Sequence, residues 1–266
     1  MAIILNIETA TSVCSVAIAD KGKIIATQES EESNVHAEKL AVFIEEALKK
    51  AALTLKELDA IAIGSGPGSY TGLRIGTSTA KGLCYGLNKP LISVPTLKAM
   101  AVAASSPSSS PLEGRHGINL LTPNPSAGPS SSPLEGRHGK DILYCPMIDA
   151  RRLEVYTALY DETGKEILPV QAKILDEHSF EEQLKTNTIA FFGDGMQKMR
   201  ELFASAPAPL NLPLRGEVIW MENIKATAGN MVMLAEEAFN AKQFSDLAYY
   251  EPFYLKDFVA LKKKTN

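Results

Sequence analysis

The chain has 266 residues, 45% of them hydrophobic and 22% charged, with 27 Lys+Arg against 31 Asp+Glu for a formal net charge of −4. That balance excludes a globally disordered chain and argues against a strongly basic nucleic-acid binder. No apolar run nears the ~18 residues of a membrane-spanning helix, so no membrane contact is expected. MAIILNIETA carries no basic residue and meets Glu8 early, which predicts a cytoplasmic chain without a secretory signal. Cys14, Cys84 and Cys145, odd in number and widely spaced, fit reduced thiols better than a disulfide framework or a zinc site.

In chain order, the β-branched runs 3–7, 13–19 and 23–28 predict three strands. The last two are joined by the turn Asp20-Lys21-Gly22. A helix is predicted over 34–51, where Leu40, Phe43, Ile44, Ala47, Leu48 and Ala51 recur at the spacing of one helical face. Thr54-Leu55-Lys56-Glu57 has the form of a capping box and predicts a short helical turn before a strand over 60–64. Then comes Gly64-Ser65-Gly66-Pro67-Gly68-Ser69-Tyr70-Thr71-Gly72-Leu73-Arg74-Ile75-Gly76, a glycine-rich turn opening a helix over 71–86.

Such a turn can aim backbone N–H groups at an anion. It lacks the Gly-Lys-Ser/Thr ending of a P-loop and the glycine spacing of a dinucleotide fingerprint, so phosphate cradle and plain tight turn both stay open. Gly72, Gly76 and Ala80 form a stripe of small residues. Two helical glycines cost roughly 1 kcal/mol each against alanine, which predicts close approach of another backbone, either the chain's own sheet or a partner helix.

From 107 to 139 the composition changes: 33 residues hold 7 Ser, 6 Pro and 5 Gly, and PSSSPLEGRHG occurs at both ends with a period of 22. Too little apolar surface is present to offset the entropy of ordering it, so a mobile insert is expected. Its Arg115/His116 and Arg137/His138 pairs, with Lys262, Lys263 and Lys264, are the grounds for an RNA-binding alternative. Beyond the insert, runs 142–148, 154–160 and 167–174 again read as strands. A helix at 179–185, a strand at 189–193 and helices at 196–203 and 227–242 follow. Three strands, then helix, strand, helix, occur twice. This predicts an α/β protein with an N-terminal subdomain over 1–106 and a C-terminal one over 140–266, each a mixed sheet flanked by helices. That is the topology of the actin, Hsp70 and sugar-kinase group, whose halves are RNase H-like.

IGSGPGSYTGLRIGTSTAKGL, with ILNIETATSVCSVAI, VHAEKL, SVPTL, IDARRLEVY and YEPFYLKD, resembles the TsaB (YeaZ) family of tRNA threonylcarbamoyladenosine synthesis. The resemblance implies an actin-like fold and a non-catalytic subunit. Such a subunit binds a TsaD-like catalytic paralogue, with a TsaE-like ATPase completing the complex. The complex adds threonylcarbamoyl to the adenosine beside the anticodon of tRNAs that read codons beginning with A, so tRNA is met through the complex. It also implies that the first two helices contact TsaD, or a second copy in a homodimer. The expected interface residues are His36, Leu40, Phe43, Gly72, Arg74, Ile75, Gly76, Thr79, Ala80 and Leu83.

The catalytic paralogue holds a metal with two histidines on one helix. Here only His36, His116, His138 and His178 occur, and none form a His-x-x-x-His pair. A catalytic metal needs about three protein ligands, so no catalytic residue and no metal site are expected, and an M22-type peptidase is the least favoured reading. Gly-x-Ser-x-Gly is also absent. An actin-fold ATPase or small-molecule kinase is the rival. In that fold group the turn between the first two strands holds phosphate, here Glu8-Thr9-Ala10-Thr11-Ser12. Glu8, Thr9, Thr11, Gly66, Gly68, Ser69, Asp149 and Asp194 are the residues for weak or interfacial ATP or ADP with Mg²⁺. No tightly bound cofactor is expected. Arg151 and Arg152 serve phosphate or RNA backbone, or pair with acidic neighbours.

Overall fold

The computed structural model describes residues 2–32, 36–106, 142–205 and 218–256. The repeated insert and the basic pairs within it lie outside them, as does the Lys262–Lys264 run. The first half comprises β1 (Ile3–Glu8), β2 (Cys14–Asp20), β3 (Lys23–Ser30), α1 (His36–Ala51), β4 (Ala60–Gly64), α2 (Tyr70–Leu87), β5 (Leu91–Val94) and α3 (Thr96–Ser105). The second repeats that order with β6 (Ile142–Asp149), β7 (Glu154–Tyr160), β8 (Glu166–Ile174), α4 (Glu181–Leu184), β9 (Thr188–Phe192), α5 (Met196–Ser205), β10 (Val218–Met221) and α6 (Ala228–Asn240). The two sheets have matching orders, β3-β2-β1-β4-β5 and β8-β7-β6-β9-β10. In each, the first three strands are antiparallel and the rest pair in parallel.

Side-chain alternation explains the layering. On β1 and β4, Leu5, Ile7, Ile61 and Ile63 face α1 and α2. Ile4, Ala60 and Ala62 face the other way, against Met231 and Ala235 of α6. Leu97, Met100, Ala101 and Ala104 of α3 pack instead against Ile148, Ala158 and Ala190 of the second sheet. The third helix of each half therefore covers a sheet of the other half. The outer face of the second sheet, through Cys145, Met147, Phe191 and Trp220, packs with Leu184 and Met199 of α4 and α5.

The structure corrects the element reading at three places. β5, α3 and β10 were not expected, because two are four-residue strands. The third is a helix packed toward both sheets, so its apolar residues show no single face. The Thr54 turn forms a 3-10 helix over Leu55–Glu57, with Glu57 Oε2 accepting the Thr54 amide at 2.7 Å. No helix among the described residues is long and apolar enough to cross a membrane. All three cysteines are free and buried.

Candidate functional site: the β1–β2 turn and the helix that closes it

β1 ends on Glu8, whose side chain is 1% exposed. Its Oε1 accepts the amides of Thr9 at 2.9 Å and Ala10 at 2.8 Å, and its Oε2 accepts the Thr96 hydroxyl at 2.9 Å. Thr96, first residue of α3, also accepts the Gly66 amide on the same oxygen at 3.1 Å. Gly64 makes room for this arrangement, since a Cβ there would collide with the Glu8 carboxylate. Burial raises the Glu8 carboxyl above its ordinary 4.5 despite these donors, because no charged partner is among them.

The glycine loop and α2 close over this turn. The Ser69 amide donates to the Ala10 carbonyl at 2.7 Å, and the Thr9 hydroxyl donates to the Gly72 carbonyl at 2.9 Å. Ser69 also caps α2, its hydroxyl accepting the Gly72 amide at 3.3 Å. A Cβ on Gly68 would collide with the Ala10 carbonyl, on Gly72 with the Thr9 carbonyl, and on Gly76 with the Thr9 hydroxyl. The small-residue stripe does mark close backbone approach, and its neighbour is the chain's own β1–β2 turn. Gly72, Gly76 and Ala80 are buried, the two glycines against Thr9 of the chain's own turn. His36 and Leu40 are likewise buried within the chain. Of the expected interface set, Arg74 is exposed, and Phe43, Ile75, Thr79 and Leu83 are half-buried.

The same helices show an outward surface that sequence reasoning missed. Gly82 and Gly86 have open space where a Cβ would stand, Val42 is exposed, and Tyr85 is 85% exposed. The segment after α6 runs back along α2: Ser245 bonds Leu91, Lys81 Nζ donates to the Ala248 and Tyr250 carbonyls at 3.2 Å each, and the Phe253 amide donates to Ser65. Tyr254 then stacks obliquely on Tyr70, ring centroids 4.9 Å apart. This accounts for residues 250–254 of the YEPFYLKD motif as a strap along α2.

The second half places Asp149 at the end of β6, as Glu8 ends β1. Its side chain is 44% exposed, and Oδ1 accepts Lys198 Nζ at 2.7 Å and the Arg151 amide at 2.6 Å. Asp194 Oδ1 accepts the Asp149 amide at 3.0 Å. Burial, with the Asp149 charge adding, raises the Asp194 carboxyl above 3.8. Arg151 and Arg152 are exposed in consecutive left-handed conformations. Among the described residues no three His, Cys, Asp or Glu side chains form a metal-sized group. Glu8 accepts from Thr9, Ala10 and Thr96, Asp149 from Lys198 and the Arg151 amide, and Asp194 from the Asp149 amide. Thr11 is buried, and its hydroxyl accepts the Val13 amide at 3.2 Å. Thr96, Gly64 and Lys198 were missed as site residues. The signal for Thr96 was its place after Pro95 at a helix start.

Among known proteins, the model of the family described as "TsaD: tRNA N6-adenosine threonylcarbamoyltransferase" matches residues 23–118. The tRNA threonylcarbamoyladenosine biosynthesis protein TsaB of Haemophilus influenzae is 39% identical over 101 residues, 38% of this chain and 42% of that protein. Its Escherichia coli namesake is 40% identical over 101 residues, 38% and 43% of the two chains. The structure of YeaZ from Pseudomonas aeruginosa superposes on 96% of this chain and 100% of its own with a TM-score of 0.67 at 21% identity. Over those 101 residues the chain is similar in sequence to TsaB proteins. The aligned sequence spans about two fifths of the length of these curated TsaB relatives, whereas the likeness of fold to YeaZ runs through both lobes. The two-lobed α/β architecture with duplicated mixed sheets is thus the fold of YeaZ, and the glycine loop is the clamp of the first lobe.

Proposed function

We propose that this chain is the non-catalytic, activating partner in tRNA threonylcarbamoyladenosine synthesis, working in the cytoplasm by docking a TsaD-type catalytic subunit. One observation carries the reading: the outward side of α1 and α2 combines half-buried Phe43, Ile75, Thr79 and Leu83 with exposed Val42 and Tyr85 and two helical glycines that no contact among the described residues requires. A glycine inside a helix costs roughly 1 kcal/mol against alanine, and a second helix approaching Gly82 and Gly86 would offset it. The likeness to TsaB proteins suggests the partner class, and the match of residues 23–118 to the TsaD model fits docking between related folds. The same face serves a homodimer when the chain is alone, and a TsaE-type ATPase joins the assembled pair, through which tRNA is met.

The experiment is a binding titration and a tRNA threonylcarbamoylation assay with the cognate TsaD-type subunit. Thr79→Arg, half-buried on that face, should weaken the complex by at least about ten-fold, or roughly 1.4 kcal/mol, with thermal unfolding little changed. Normal modification in the chain's absence, or full affinity in Thr79→Arg, sinks the reading.

A further inference from the structure

The amides of Thr9 and Ala10 converge on one oxygen, and consecutive amides converging in this way form an anion-binding concavity. The oxygen belongs to the chain itself. We propose that Glu8 is an internal anion: its carboxylate fills this concavity in place of any phosphate, and so positions the turn on which the glycine loop and α2 are seated.

Three features support the assignment. A buried carboxylate with no cationic partner among the described residues is a costly occupant for a core position that an apolar residue could fill. Both its oxygens are used: Oε1 by the two turn amides, Oε2 by Thr96, which relays to the Gly66 amide. The two residues that Oε1 holds are those that α2 abuts, Thr9 through Gly72 and Gly76 and Ala10 through Gly68 and Ser69. A nucleotide phosphate entering this turn would have to displace Glu8 from the Thr9 and Ala10 amides and part the turn from α2. The residues of the first lobe therefore do not fit the nucleotide that the fold group implies. This inference needs no partner protein and stands apart from the docking role.

Chemical rescue tests it. Glu8→Ala removes a fragment close to acetate in size and charge. The variant should unfold at a lower temperature than the parent chain. Acetate should restore part of that loss saturably, chloride at equal ionic strength should not, and the parent chain should respond to neither. By hydrogen exchange, the Thr9 and Ala10 amides should lose at least ten-fold protection in Glu8→Ala and regain it with acetate. Insensitivity of Glu8→Ala to acetate overturns the proposal. So does protection of the same amides in the parent chain by added Mg-ATP or inorganic phosphate. Should Glu8→Ala fail to fold, Glu8→Gln and Glu8→Met decide. Gln retains an acceptor oxygen and should keep the Thr9 and Ala10 protection that Met loses; equal protection in both variants rejects the internal-anion role.

Discussion

The two lobes solve the same local problem in opposite ways. Both end their first strand on a carboxylate and follow the fourth strand with a glycine turn, Gly64-Ser65-Gly66 in one and Gly193-Asp194-Gly195 in the other. In the first lobe the carboxylate is sealed from water and held by neutral donors under a helix start. In the second, Asp149 is open to solvent and pinned by Lys198, while Asp194 on the facing turn is likewise exposed and accepts the Asp149 amide. Duplication preserves topology without preserving chemistry: what surrounds a carboxylate decides whether it is a surface charge or a packing element.

Glycine substitutions break this comparison most strongly. Gly76→Leu places a bulky side chain against the Thr9 hydroxyl and Ile63. Overpacking typically costs about 1–3 kcal/mol, and each kcal/mol lowers the melting temperature of a chain this size by about 2–4 °C; calorimetry should show a drop near the upper end. The isolated chain is destabilised, so loss of partner binding in this variant reports folding rather than contact. Gly82→Ala on the same helix should do the reverse, raising stability by up to about 1 kcal/mol because open space surrounds it. Opposite signs six residues apart on one helix separate its inner and outer faces.

Acid sharpens the contrast between carboxylates. The raised Glu8 carboxyl means the folded chain holds more protons than the unfolded one above pH 4.5, so its contribution to stability falls as pH rises through its folded value. Denaturant midpoints of Glu8→Gln relative to the parent chain should therefore climb with pH from about 4.5 to neutrality. Asp194→Asn should show the same trend from about 3.8. Lys198→Ala, which removes the Asp149 pair at a partly exposed site, should cost at most about 1 kcal/mol.

How far the sequence could be read follows from these particulars. The strands over β1, β2, β4 and β7 alternate or run apolar between clear turns, and α1 has one apolar face, so all were legible. α3 was not, because a helix with apolar neighbours on both sides carries no one-sided pattern. At the site, Gly72 and Gly76 correctly announced close approach, but a single chain does not tell which backbone approaches. Glu8 had the right position for a phosphate turn. Its second oxygen is held by Thr96, 88 residues away, and no local spacing encodes that contact.

The crossed placement of α3 and α6 ties the lobes like two boxes that have traded lids. Cutting the chain between α3 and β6 would leave each fragment with an uncovered apolar sheet face, Ile4, Ala60 and Ala62 on one and Ile148, Ala158 and Ala190 on the other. Separately produced, the fragments should be insoluble; mixed or coexpressed, each carries the piece the other lacks, and they should reassemble into a soluble pair. The architecture is in this sense a ready-made split protein.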